Sequence, residues 1–148
     1  MLERFSRFSY AIFEISRCWH KLAAEEMEKY DLRGPHAIYL VTIWQSREAV
    51  TAARLCELCG RDKADVSRAV SLMEQKGLLT REGANYRAVL RLTEAGVAAA
   101  QQVSRRAAVA VEQAGRGFSD ESRATFYQVL ETITGNLRDL TRDGLPQG

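Results

Sequence analysis

Two short helical segments joined by a glycine turn constrain this chain more than any other feature of its sequence. The first segment starts near Thr51, a residue type that caps helix N-termini, and stops at Gly60, which can adopt the left-handed conformation that follows a helix. Asp62 can cap the second segment, so only Gly60 and Arg61 separate the two helices. This spacing predicts a tight helix-turn-helix.

The second of these helices has an apolar side and a polar side. Its apolar positions, spaced for burial, are Val66, Ala69, Val70 and Met73. Its opposite side carries small residues and hydrogen-bond donors, namely Lys63, Ala64, Ser67, Arg68 and Ser71. Donors and small residues on one exposed helical face are what reading base edges in the major groove requires. Lys63 lies at the helix start, where it is expected to position a phosphate rather than to read a base.

Asp65 on the same helix has two interpretations. Its position three residues after Asp62 fits a capping box with a shortened side chain. A carboxylate can also accept a hydrogen bond from a cytosine amino group in the major groove. The spacing favours the capping role, and Asp65 remains a candidate DNA-binding residue.

A β-hairpin is predicted directly after this helix. Gly77 ends the helix, and residues 78–82 lead through the turn Gly83-Ala84-Asn85 to an alternating second strand over residues 86–92. Three arginines of the hairpin would add phosphate or minor-groove contacts: Arg81, Arg87 and Arg91. The alternative for each arginine is a solvated surface charge.

Amphipathic helices flank this central region on both sides. The first is predicted over residues 3–29, with a stripe at coiled-coil spacing formed by Phe5, Phe8, Ile12, Ile15, Trp19 and Leu22. Gly34-Pro35 opens a nearly apolar second helix, and further helices are predicted over residues 94–115 and from a Ser119 cap onward. The fold class is therefore mainly α with a small β-hairpin, in a single domain over residues 1–148.

The charge distribution agrees with a phosphate-binding central region. The net charge of the chain is only +2, but residues 61–91 contain seven basic and four acidic residues, a local excess of three positive charges. The longest stretch without a charged residue, 34–46, is too short for a bilayer span, and no secretory signal is evident, so a cytoplasmic protein without a membrane partner is expected.

The order of these elements and two sequence strings resemble the MarR family of bacterial transcription regulators. The strings are Leu55–Arg68, which contains the helix-turn-helix, and Leu92-Thr93-Glu94-Ala95-Gly96, which follows the hairpin. The resemblance implies a homodimeric winged helix-turn-helix protein, with residues 32–93 binding DNA and residues 1–31 and 94–142 forming the dimer. One departure is in the wing, where Asn85-Tyr86-Arg87 replaces the family's usual Asp-x-Arg.

The function expected from these features is sequence-specific binding of double-stranded DNA. A single recognition helix covers few base pairs, so two copies, about 34–36 Å apart, would read a pseudo-palindromic operator. The resemblance further implies a repressor that a small-molecule effector releases from DNA. No enzyme motif, cofactor motif or complete metal-ligand set is evident.

A small aromatic effector is the expected ligand class, although the sequence does not identify it. Four residues of the first two helices are candidates to line its pocket: Trp19, His36, Tyr39 and Trp44. The alternative is that these residues belong to the core or, for His36, to the surface or a helix cap.

Two other functions remain open at the level of sequence. The atypical wing would also suit a winged-helix module that binds protein and not DNA. Cys56 and Cys59, three residues apart on one helix, could make a thiol- or metal-responsive regulator. Their place near a helix C-terminus, where the dipole raises a thiol pKa, favours a role as small core residues instead.

Overall fold

The structure, a computed structural model, describes residues 1–148 except for the side chain of Tyr86. The chain forms two compact units, residues 1–108 and residues 109–148. The helices are α1 (Leu2–Glu28), α2 (His36–Gln45), α3 (Ala52–Cys59), α4 (Lys63–Gln75), α5 (Glu94–Ala114) and α6 (Asp120–Asp143). The strands are β1 (Val50–Thr51), β2 (Leu79–Glu82) and β3 (Val89–Leu92).

The predicted helix boundaries around the turn are confirmed by their capping hydrogen bonds. The Thr51 hydroxyl accepts from the backbone N–H of Arg54 at 3.1 Å, which caps α3. Gly60 ends α3 with φ +60°, the left-handed conformation that glycine adopts without strain. The Asp62 carboxylate accepts from the backbone N–H of Asp65 at 2.8 Å and caps α4. These local contacts fix the turn between the two helices.

The first unit is built around one apolar core. The α4 stripe is fully buried, with Val66, Ala69 and Met73 at 0% exposure. It packs in one cluster with residues of α2, α3 and the sheet, including Tyr39, Leu40, Leu55, Leu79 and Leu90. Burying one side of α4 in this way leaves its opposite side in solvent.

The sheet differs from the predicted two-stranded hairpin in two respects. It has three antiparallel strands in the order β1-β3-β2, because Val50 and Thr51 pair with Leu90 and Val89. The predicted second strand over residues 86–92 is too long, since Asn85–Arg87 form a 3₁₀ turn and β3 begins at Val89. The turn contains Asn85 with φ +61°, a conformation that asparagine tolerates better than most residues. Arg87 therefore lies in a turn and not on a strand.

The second unit contains the end of α5 and the whole of α6. Its two helical segments are separated by the predicted glycine break, and the Ser119 hydroxyl caps α6 by accepting from the Ser122 N–H at 3.1 Å. Arg123 donates to the Gly115 carbonyl at 3.2 Å and lies 3.6 Å from the Glu112 carboxylate. No residue of α6 is buried. Its exposed large hydrophobic residues are Phe126, Tyr127, Val129, Leu130 and Leu137.

Within the described part of the chain, none of the helices combines the length and apolar character needed to cross a lipid bilayer.

Candidate nucleic-acid interface

The outward side of α4 presents the predicted polar residues to solvent. Lys63, Ala64, Arg68 and Ser71 are exposed, and Ser67 is partly exposed. The Arg68 side chain retains 72% of its accessible surface, so its guanidinium is available to a partner. Because the apolar side of α4 is packed in the core, the helix cannot rotate about its axis, and its polar side faces solvent.

Three of the predicted residues, Lys63, Ser67 and Arg81, line one cleft. The cleft lies between α4, the start of α3 and the wing, which is the hairpin formed by β2, the 3₁₀ turn and β3. Its volume is about 440 Å³. Asn85 of the 3₁₀ turn completes its polar lining, and Ala52 and Val70 are its apolar residues. The structure thus brings the start of α4 and the hairpin formed by β2 and β3 together around a common surface.

Arg81 contacts α4 directly. Its Nη2 donates to the Ser71 hydroxyl at 2.8 Å, and its Nε lies 3.4 Å from the Glu74 carboxylate. Two residues predicted separately as DNA contacts therefore hydrogen-bond to each other. This contact connects β2 to α4.

The other two wing arginines differ in their surroundings. Arg87 is exposed at the end of the 3₁₀ turn. Arg91 on β3 is also exposed, and its Nε donates to the Glu82 carboxylate at 2.7 Å. An exposed pair of this kind contributes little stability. Of the two, Arg87 therefore fits better the predicted contact with a phosphate or the minor groove.

The Asp65 carboxylate faces α2 and the turn. It accepts hydrogen bonds from the Tyr39 hydroxyl and, at 3.3 Å, from Nη2 of Arg61, and it lies 3.9 Å from Nη2 of Arg68. The Tyr39 hydrogen bond, with the two arginines, holds the pKa of Asp65 below its ordinary value against the opposing effect of burial. Among the described residues, this carboxylate makes no hydrogen bond to the Asp62 N–H, so the reciprocal half of a capping box is not formed.

Arg61 is a candidate functional residue that the sequence analysis did not select. It lies in the turn, its side chain is 45% exposed, and its Nε donates to the Tyr39 hydroxyl at 3.2 Å. The only sequence signal was its spacing of four residues from Asp65, which suits an ion pair at the start of a helix. The contact with Tyr39 joins residues 22 apart and has no local signature.

The four candidate effector-pocket residues have very different environments. Tyr39 is fully buried and His36 is 7% exposed, and their rings are stacked with centroids 6.3 Å apart. Trp44 packs partly buried against the core, whereas Trp19 is 42% exposed on α1. A second cleft of about 670 Å³ lies beside α1 and residues 32–35, and none of the four lines it. An effector site built from all four residues remains a prediction.

His36 gives a testable pH dependence. It is buried at the start of α2, and its Nδ1 accepts from the backbone N–H of Arg33 at 3.3 Å. Burial lowers its pKa below 6.5, with the Arg33 cation acting in the same direction and the Asp65 carboxylate opposing it. Because the unfolded chain binds the proton more readily, the free energy of unfolding should fall as the pH drops through 6.5 and level off below the folded-state pKa. Each unit of pKa lowering corresponds to about 1.4 kcal/mol.

Urea unfolding above and below pH 6.5 measures this effect. The variant His36→Gln keeps an acceptor near the Arg33 N–H but cannot be protonated, so its stability should depend less on pH than that of the wild type. His20→Gln removes the exposed histidine of α1 and is the matched control. Equal pH dependence in wild type and His36→Gln would show that this interpretation is wrong.

All three cysteines are free thiols. Cys56 and Cys59 are partly buried, and Cys18 is exposed. The Cys59 thiol donates to the Thr42 hydroxyl at 3.6 Å, and burial raises its pKa. A raised pKa disfavours the reactive thiolate. In the described part of the chain, no cluster of three or more His, Cys, Asp or Glu residues could hold a metal ion.

Comparison with known proteins found one family model that matches part of the chain and solved structures with a similar fold. Residues 30–85 match the model of the MarR family. A MarR family transcriptional regulator from Listeria monocytogenes, solved with a 26-mer DNA, superimposes with a TM-score of 0.79 at 21% identity, covering 94% of this chain and 96% of that chain. The MepR–DNA complex of Staphylococcus aureus gives 0.78 at 18% identity, with coverages of 88% and 97%.

A MarR regulator from Methanosarcina mazei Go1 gives a TM-score of 0.78 at 19% identity, with coverages of 90% and 96%. No curated protein sequence matches the chain. The TM-scores establish the shared fold, and the family match covers the segment that begins just after α1 and ends at the 3₁₀ turn after β2. The chain therefore has the winged helix-turn-helix fold of the solved MarR regulators, and its residues 30–85 match the model of the MarR family.

Proposed function

We propose that this protein is a sequence-specific, double-stranded DNA-binding transcription regulator that acts in the cytoplasm as a homodimer. The observation that carries the proposal is α4, whose buried apolar side fixes a solvent-facing side of small residues and donors. That side reads base edges in the major groove, while Arg87 of the wing reaches the backbone or the minor groove. The solved relatives in complex with DNA support the same use of the fold.

The finer part of the proposal is that the regulator is a repressor released by a small aromatic effector. Thermal unfolding in the presence of phenolic acids, metal ions and oxidants tests this part, because a ligand that binds only the folded state raises the melting temperature. An effector must in addition lower the affinity for operator DNA. A ligand that stabilises the protein without releasing DNA would contradict the repressor mechanism.

An electrophoretic shift assay tests DNA binding itself. The probe is the region upstream of the protein's own gene, and the assay is repeated at two salt concentrations. We expect retardation that weakens as salt rises, since neutralising phosphates releases counterions. Absence of retardation at low salt would favour the alternative function, a winged-helix module that binds protein.

The homodimer rests on the exposed apolar stripe of α1. Exposed fractions along it are 68% for Phe5, 42% for Ile12 and 65% for Ile15, and the stripe continues to Leu22 at 49%. Large apolar side chains exposed in a row along one helix are typical of an interaction surface. Two-fold pairing would also place two copies of α4 for a pseudo-palindromic operator.

The variant Ile12→Glu should separate the protomers. A carboxylate in an apolar interface lacks a partner, so dimer formation should weaken by at least about a hundredfold. Sedimentation velocity at micromolar concentration should show a dimer for the wild type and a monomer for the variant. Tyr10→Glu is the matched control, because Tyr10 is 74% exposed and points to the opposite side of the helix. A monomeric wild type would contradict the proposal.

A further inference from the structure

A closed ring of hydrogen bonds connects the core of the first unit to the helix-turn-helix. The Tyr39 hydroxyl donates to Oδ2 of Asp65 and accepts from Nε of Arg61 at 3.2 Å. Nη2 of Arg61 donates to the same Oδ2 at 3.3 Å and closes the ring. The Tyr39 side chain is fully buried, so its hydroxyl is a fixed point to which the turn and the first turn of α4 are attached.

The ring uses only one edge of the Arg61 guanidinium. A guanidinium has five N–H donors, and the ring occupies one on Nε and one on Nη2. Nη1 makes no hydrogen bond to the described residues, and the side chain is 45% exposed. The edge formed by Nη1 and Nη2 is therefore available, and it has the fork geometry that matches two oxygens of a phosphate.

The ring also remains intact over the physiological pH range. Burial and the hydrogen bond to Asp65 raise the pKa of Tyr39 to about 12, so the hydroxyl stays protonated and keeps donating. The hydrogen bond from Tyr39 lowers the pKa of Asp65, which keeps the carboxylate ionised and accepting. With Arg68 3.9 Å from the other carboxylate oxygen, the group carries two positive charges and one negative charge. Its net charge suits an anionic backbone.

We propose that Tyr39 and Asp65 position Arg61 to bind a phosphate of the DNA backbone next to the recognition helix. The proposal rests on the proposed DNA-binding function. Tyr39 and Asp65 act through Arg61 and touch no base, so they determine where the recognition helix is placed on the duplex rather than which base it reads. Removing the Tyr39 hydroxyl leaves Arg61 charged but held by one hydrogen bond, to Asp65, instead of two.

A double-mutant cycle tests the proposal. In vitro selection from a random duplex library with the wild-type protein supplies the probe, a short labelled duplex, and affinities are measured by fluorescence anisotropy at several salt concentrations. Arg61→Gln should bind at least about tenfold more weakly for each protomer on the duplex, as for loss of a hydrogen bond to a charged group. The slope of log K against log salt should also flatten by about 0.9 for each protomer.

Tyr39→Phe should bind about fivefold more weakly in the wild-type background, and it should have no further effect in the Arg61→Gln background. This non-additivity separates positioning from a general structural effect, which would reduce affinity equally in both backgrounds. Tyr30→Phe is the matched control, because Tyr30 also packs against the core but takes no part in the ring. Its affinity should equal that of the wild type.

Two results would overturn the proposal while leaving DNA binding in place: an unchanged affinity and salt slope for Arg61→Gln, or an equal effect of Tyr39→Phe in both backgrounds. Failure of the selection to enrich any sequence would instead contradict the proposed function. If Tyr39→Phe does not fold, as judged by thermal unfolding, the salt slope of Arg61→Gln still decides whether Arg61 binds a phosphate.

Discussion

The double variant Ser67→Ala/Arg68→Ala should lose most of its preference for operator DNA over unrelated duplex. Both residues lie on the solvent side of α4, and neither contributes to the buried apolar stripe. A good base contact in the major groove contributes about 1–3 kcal/mol of discrimination, and a two-fold complex loses it at both half-sites. We therefore expect the ratio of operator to non-operator affinity to fall by about a hundredfold or more.

The measurement is a competition between operator and random duplex at one fixed salt concentration. Arg105→Ala is the matched control, because Arg105 is an exposed arginine on α5 and lies outside the helix-turn-helix. The double variant should keep the wild-type melting temperature, since exposed substitutions away from caps and core usually change stability by less than about 0.5 kcal/mol. Unchanged selectivity in a folded double variant would refute the interpretation of α4 as a recognition helix.

The parts of the fold that the sequence predicts are those determined by short-range chemistry. The caps at Thr51, Asp62 and Ser119 each involve a side chain and a backbone N–H three residues later, so a short window of sequence contains both partners. The stop at Gly60 depends on the conformational freedom of one residue. The buried stripe of α4 follows from helical periodicity alone.

The contacts that the sequence does not predict are the ones that join distant residues. β1 has only two residues, too few to show an alternating pattern, and it exists because Val50 pairs with Leu90 across the sheet. The Tyr39 hydroxyl meets Asp65 across 26 residues, which no local pattern encodes.

The partners of the candidate DNA-binding residues are equally hard to predict from sequence. From sequence, Tyr39 is a candidate for an effector pocket or the core and Asp65 for a cap or a base contact, because neither residue type reveals its partner. Arg81 was expected to reach DNA, yet its guanidinium contacts Ser71 and Glu74 on α4. Helical periodicity predicts which residues face outward. Only the tertiary structure shows which of those residues form hydrogen bonds or ion pairs with neighbouring side chains.

Replacing Gly96 with alanine should strongly destabilise the protein. A Cβ at this position, in the first turn of α5, would lie 1.9 Å from the carbonyl oxygen of Leu78 and 3.3 Å from the Leu92 Cβ. That carbonyl cannot easily move, because it accepts from the backbone N–H of Thr93 at 3.0 Å. The Thr93 hydroxyl also holds the start of α5 against the end of α4 by donating to the Gly77 carbonyl at 2.6 Å.

The backbone must therefore shift, and we expect a loss of more than about 3 kcal/mol in the free energy of unfolding, above the usual range for overpacking. The sign is informative because alanine is otherwise favoured over glycine within a helix by about 1 kcal/mol. Gly135→Ala supplies the matched control: Gly135 lies inside α6, and a Cβ added there would meet no neighbouring side chain or loop of the described chain within 4 Å. Urea unfolding followed by circular dichroism should show Gly135→Ala at or above wild-type stability and Gly96→Ala strongly destabilised or unfolded. A Gly96→Ala protein as stable as the wild type would mean that α5 does not enter the first unit as closely as the contact with Leu78 requires.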